Sequence, residues 1–302
     1  MRINKTNIGL LFLLFSVGCA TSSTNQNPAP DALTTNDQLE AATEAEEYPG
    51  LSEEAEKILA EALLDADHQI EEQDRAKIAA LEAPTSSSPK PRVPIVINEK
   101  VRKWIHFFTV KDRERFARFL ERGEYYKDYV ESVLKAYELP KELYYLAMIE
   151  SGYQSHAYSR ARAVGVWQFM QHTGRQYGLS ANAYVDERRD PQQATKAAAR
   201  HLRDLHEKFQ SWYLAMAAYN AGEGRINGAI RRGGTRDFWK LVERRVLPRE
   251  TIEYVPKFLA AVIVGKNREK FGFHIRQNQK QPALVQARVP ASVSLKQVAA
   301  LS

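Results

Sequence analysis

The chain has 302 residues, 43 Lys and Arg against 37 Asp and Glu, a formal net charge of +6 and a single cysteine. That length holds one good-sized domain with appendages, and one cysteine excludes an intramolecular disulfide framework. The charge is unevenly placed. Sixteen acidic side chains fall between 31 and 82 against Lys57, Arg75 and Lys77, while the remainder is strongly basic and suited to an anionic polymer. Nucleic acid is excluded as that polymer because the chain opens on an export signal.

Arg2 and Lys5 precede an apolar run, Ile8 to Phe15, which is too short to span a bilayer and reads as a signal segment over 1–18. Residues 20–50 are polar and poor in large apolar groups, the composition of a tether. Ile58, Leu59, Leu63, Ile70 and Ile78 give 51–81 a moderate helical period, expected as a solvated acidic helix. A Pro/Ser-rich linker follows over 84–94. The tether with its acidic helix and linker therefore covers 19–97, a compact domain covers 98–275, and 276–302 is a C-terminal linker.

Within the domain, Trp104, Phe107, Phe108, Phe116, Phe119, Tyr129 and Val133 recur at three- and four-residue steps, predicting two core-facing helices over 101–137 with a break at Gly123. Pro140 occupies a first-helical position, Leu143, Leu146, Ala147 and Ile149 continue the helix, and Gly152 stops it. Glu150 then lies in the last turn, where the dipole disfavours negative charge and the neighbours are apolar. Both effects raise a carboxyl pKa, so Glu150 is suited to donate a proton; the ordinary alternative is a solvated glutamate at a helix end. No acidic residue occurs between Glu150 and Asp186.

Gly178 ends a further short helix, and Asp186-Glu187-Arg188-Arg189-Asp190-Pro191 reads as a loop held by its own ion pairs. Ala194 to Phe209 is helical. His201 and His206 lie five apart, the wrong spacing for one helix face, and no carboxylate completes a ligand set, so no metal site is expected and no cofactor is implied. Trp212 to Asn220 is a helix of small residues closed at Gly222. The Gly-x-Gly there follows no strand, which argues against a phosphate loop. Phe258 to Val264 is apolar all round and should be buried. The fold class is mainly α.

Three runs carry a resemblance. They are Glu150-Ser151 with Ala157-Tyr158-Ser159 and Ala163-Val164-Gly165-Val166-Trp167-Gln168-Phe169-Met170; Ala218-Tyr219-Asn220-Ala221-Gly222; and Glu250-Thr251-Ile252-Glu253-Tyr254-Val255-Pro256-Lys257. Together they resemble the signatures of the soluble-lytic-transglycosylase family, over Arg102 to Phe273. Arg162 stands where that pattern usually has Gly, Val166 where it has Leu, and Gln171 where Pro is common. The resemblance implies a lysozyme-like helical fold and cleavage of peptidoglycan glycan strands. Glu150 would act as acid and then base, forming a 1,6-anhydro end. Ser159, Gln168, Met170, Tyr219, Asn220, Glu250 and Tyr254 match positions lining the cleft. Trp167 is expected to pack beneath the site, and Met170 is equally well read as core filler. A hydrolase on the same scaffold and a non-cutting peptidoglycan-binding protein are the rival readings.

The segment ending at Cys19 resembles a bacterial lipoprotein lipobox, although Ser16 stands where Leu is usual and Val17 where a small residue is usual. That implies acylation of Cys19 and a membrane anchor. Ala20, in place of the aspartate of inner-membrane retention, points to an outer-membrane lipoprotein facing the periplasm, with soluble periplasmic protein as the alternative. Relatives usually carry C-terminal LysM repeats; 276–302 contains no complete one.

Overall fold

A computed structural model of the chain describes residues 48–64 and 92–275. The signal segment, Cys19, most of the tether and the C-terminal linker lie outside the described residues.

Helix α1 spans 53–64 and opens on Ser52, whose hydroxyl accepts from the Ala55 amide. It is not solvated. Leu59 is 1% exposed, and Ala55 and Ile58 are also buried in the common core. Two of its acidic residues face cations of the domain: Glu56 pairs with Arg102, and Glu61 with Lys270 at 2.5 Å. The expectation of a solvated acidic helix is therefore corrected for 53–64; the acidity serves docking as well as solubility.

Helix α2 (Glu99–His106) starts at Asn98, whose side chain accepts from the Val101 amide. One π-helical turn, Phe107–Lys111, follows and ends at Asp112 before α3 (Arg113–Ala136). The break predicted at Gly123 falls instead at 107–112, and α3 runs through Gly123 without interruption. A Cβ at Gly123 would lie 2.3 Å from the Tyr144 hydroxyl, so this glycine permits close approach of two helices rather than ending one. The aromatic stripe is core as expected, with Trp104, Phe108 and Phe116 at most 1% exposed.

Pro140 precedes a single 3-10 turn, Lys141–Leu143, and α4 itself is Tyr144–Ser151, closed by Gly152 in the left-handed region with φ 57°. Thereafter come α5 (Gln171–Gln176), a 3-10 turn at Glu187–Arg189, α6 (Pro191–Phe209), α7 (Trp212–Ala221), α8 (Glu223–Gly233), α9 (Phe238–Glu243) and α10 (Arg249–Lys266). Among the described residues the only β-structure is three isolated bridges, two of them folding 158–169 into a tight double-back loop. The mainly helical expectation holds.

Helix α10 is the centre of the packing, touching α2, α4 and α7. Every residue from Tyr254 to Gly265 is buried, as the apolarity of Phe258 to Val264 requires. Gly265 admits the Tyr145 ring, which a Cβ would meet at 2.2 Å. Helices α4 and α10 are thus pressed together along their length, and that contact positions the site.

Candidate active site

Glu150 sits in the last turn of α4 and is 9% exposed. Gly152 ends the helix with its N–H on the Met148 carbonyl, and Arg122 Nε donates to the Gly152 carbonyl at 2.7 Å. Ser151 Oγ donates to the Val166 carbonyl at 2.8 Å, fastening the 158–169 loop across the helix end. The acid is therefore held in place from both sides by backbone contacts.

From α10, Tyr254 Oη donates to Glu150 Oε1 at 2.5 Å. Burial raises the Glu150 carboxyl from 4.5 to about 7; the Tyr254 hydrogen bond and the charge of Lys257 pull it down, and Glu250 pushes it up. Removal from water outweighs the two stabilising partners, and the acid retains its proton near neutrality. Burial first, and the Glu150 charge second, push the Tyr254 and Tyr219 phenols well above their ordinary value. Both remain neutral hydrogen-bond donors across the working pH range.

Lys257 belongs to this site although sequence reasoning passed over it. It is 1% exposed, lies one turn beyond Tyr254 on α10, and places its ammonium 5.3 Å from the centre of the Trp104 ring. Trp104 Nε1 in turn donates to Glu253 Oε2 at 3.0 Å. Glu250, Tyr254 and Lys257 are spaced i, i+4, i+7, which brings them to one helix face. That spacing was the signal available in the sequence.

The second cluster joins α7 to the start of α10. Asn220 Nδ2 donates to Glu250 Oε1 at 2.6 Å, and Thr251 Oγ1 donates to Asn220 Oδ1 at 2.8 Å. Both ends of the Asn220 amide are thereby fixed. Tyr219 Oη donates to the Trp167 carbonyl at 2.8 Å, tying α7 to the loop. Trp167 is fully buried with Nε1 donating to Thr195 Oγ1 at 2.9 Å, so the packing role holds. Met170 is 44% exposed, which removes the core-filler alternative.

Ser159 and Gln168 are committed to their own loop. Ser159 Oγ accepts from the Ala163 amide at 3.0 Å, and Gln168 Nε2 donates to the Gly165 carbonyl at 2.9 Å. The structure thus brings together Glu150, Tyr254, Tyr219 and Lys257, and separately Asn220, Glu250 and Thr251, whereas Ser159 and Gln168 shape the loop wall.

That wall is braced by Arg188. Its guanidinium pairs with Asp186 at 2.7 Å and donates to the Arg162 and Phe169 carbonyls at 3.2 and 3.1 Å. The expected ion pair inside 186–191 is present, and it also spans to the neighbouring loop. Arg162 adopts φ 66°, the left-handed conformation that glycine favours, so the turn survives the substitution at a cost of about 1 kcal/mol. His201 does not face a ligand set; its ring packs between Tyr177, at 4.7 Å between centroids, and Tyr219, at 5.1 Å. Burial lowers its pKa to about 4, so it stays neutral.

The chain is matched, over residues 128–242, which include Glu150, by the family model described as Transglycosylase SLT domain. This stretch of the chain is similar to SLT transglycosylase domains. The chain is similar to membrane-bound lytic murein transglycosylase D of Escherichia coli (strain K12), 38% identical over 183 residues, which is 59% of this chain and 40% of that protein. It is also similar to membrane-bound lytic murein transglycosylase F of Alcanivorax borkumensis, 30% identical over 144 residues, 44% of this chain and 29% of that one. Among solved structures, lytic transglycosylase Slt from Pseudomonas aeruginosa aligns with a TM-score of 0.40 at 24% identity, over 51% of this chain and 24% of that one. The chain therefore spans about 40% of the length of the first of these relatives.

Proposed function

We propose that the protein is a peptidoglycan lytic transglycosylase. It cleaves the β-1,4 bond between N-acetylmuramic acid and N-acetylglucosamine without water, leaving 1,6-anhydro-muramic ends, and acts in cell-wall remodelling. The observation that carries this reading is Glu150, a buried carboxyl held at about 7.

In the first step the Glu150 proton passes to the glycosidic oxygen, the C1–O bond breaks, and positive charge develops at C1. The Glu150 carboxylate is then stabilised by the Tyr254 hydroxyl and the Lys257 charge. In the second step it takes the proton of the muramic C6 hydroxyl, whose oxygen closes on C1. Glu150 ends protonated and ready for another turn. An attached hydroxyl competes well with water, because oriented intramolecular reactions reach effective molarities of about 10⁵ M or more. On this reading Asn220 and Glu250 hydrogen-bond the sugars, Ser159, Gln168 and Tyr219 shape the cleft, and Met170, 44% exposed, covers a sugar face.

Hydrolysis is the second reading, favoured by one observation. Glu250 is close enough to raise the Glu150 pKa, and a hydrolase needs a second carboxylate as base. Digestion of sacculi decides. The lytic reading requires muropeptides one water lighter than lysozyme products and lacking a reducing end; predominantly reducing products would establish the hydrolase.

The reading includes anchorage through acylated Cys19 at the outer membrane, facing the periplasm, supported by the short apolar run before that cysteine. Cys19→Ala should move the protein from the membrane to the soluble fraction, and a soluble wild type would refute the anchor.

A further inference from the structure

A pocket on α8 has a chemistry of its own. One face of α8 and the turn 246–248 border an open hollow of about 560 Å³. Its walls carry three guanidiniums, those of Arg225, Arg231 and Arg232, together with Gly228, Val246 and Pro248, and no acidic side chain lines it. Two of the arginines are held against the backbone. Arg232 Nη2 donates to the Val246 carbonyl at 2.9 Å, and Arg225 Nη1 to the Ala221 carbonyl at 3.4 Å. Each uses one donor in this way, and a guanidinium has five. Gly228 keeps the face open: a Cβ there would meet Arg232 Nη1 at 3.1 Å.

Three cations around one cavity repel one another, and an anion between them removes that repulsion. The planar fork of a guanidinium fits carboxylate and phosphate alike. Position selects between them. One wall of the pocket begins at Gly224, four residues after Asn220, and the other ends at Pro248, two residues before Glu250. Asn220 and Glu250 are hydrogen-bonded to each other at 2.6 Å, so both walls of the pocket lead back along the chain to that pair. A strand lying in the cleft carries its muramic peptides sideways, and those peptides end in free carboxylates.

We propose that this arginine-lined pocket binds the carboxylates of the peptide attached to the glycan strand, making it a specificity site for peptide-bearing over peptide-free strands. The inference rests on the reading of the cleft as a peptidoglycan site. It adds a ligand class that the cleft residues do not recognise.

Two arms test it separately. In the first, binding to the full chain is measured by calorimetry for an acidic tripeptide with two free carboxylates, for its fully amidated form, and for inorganic phosphate. The acidic peptide should bind, the amidated one should not, and Arg231→Gln with Arg232→Gln should weaken binding by about tenfold or more. Arg231→Gln alone, which leaves the Arg232 anchor on Val246 in place, should give a smaller loss in the same direction. Equal binding of the amidated peptide, phosphate binding as tight as the peptide's, or unchanged binding by both variants overturns the proposal. In the second arm, kcat/KM is compared on strands with and without peptides. Arg231→Gln should lower the first and spare the second, and a uniform loss on both overturns a specificity role. A wild type that cuts neither strand refutes the cleavage reading, while the binding arm still decides the pocket.

Discussion

Replacing Glu150 by Gln should stabilise the folded protein at alkaline pH and leave it unchanged in acid. The folded carboxyl titrates at about 7 against an ordinary 4.5, chiefly because it is buried. Between these values the folded state binds more protons than the unfolded one, so stability falls as pH rises through the window and stays low above it. At about 1.4 kcal/mol per pH unit, the interval from 4.5 to about 7 corresponds to about 3 kcal/mol. Gln retains an oxygen to accept from Tyr254 and cannot ionise, so the variant escapes that penalty. Urea unfolding of both proteins at pH 4 and pH 8 measures it. The variant should match wild type at pH 4 and exceed it by about 3 kcal/mol at pH 8, or by roughly 5–10 °C in Tm for a domain of this size. An equal difference at both pH values would refute the burial argument, since a packing effect has no reason to titrate. The same variant should release no soluble fragments from sacculi.

The alkaline fall in kcat/KM, set by loss of the Glu150 proton near 7, should move upward in Tyr254→Phe by about one pH unit or more, because a hydrogen bond to a charged group is lost. Lys257→Met should move it in the same direction by removing the neighbouring cation; a limb that stays in place in both variants would detach these residues from the acid. Leu59→Ala should cost about 2–4 kcal/mol in urea unfolding, since Leu59 is 1% exposed, whereas a solvated α1 would show no change.

The helices were legible where one residue face met one core. The aromatic stripe from Trp104 to Phe116 and the uniformly apolar Phe258 to Val264 are both buried as read, because a single period fixes a single face. The Glu150 environment was also legible, since a helix end and apolar neighbours are local properties of the sequence. Gly123 was misread for a nonlocal reason. The hydroxyl it makes room for belongs to Tyr144, on another helix. The docking of α1 was hidden in the same way, because its acidic residues find partners at Arg102 and Lys270, far along the chain. Ser159 and Gln168 stand at family positions, yet their hydrogen bonds run to Ala163 and Gly165 in a loop whose turns no periodicity reveals.

The acid and its hydroxyl partner are separated by 104 positions in the chain. Helix α4 leaves the ribosome long before α10, and the loop between them must be closed at an entropic cost before Tyr254 meets Glu150. Until α10 docks, Glu150 has neither its burial nor its donor, and its carboxyl titrates as an ordinary exposed glutamate. The surroundings that set the Glu150 carboxyl are therefore completed only when α10 is in place. A chain interrupted before residue 249 carries Glu150 and the 158–169 loop but lacks Tyr254 and Lys257, the two groups that stabilise the ionised carboxyl.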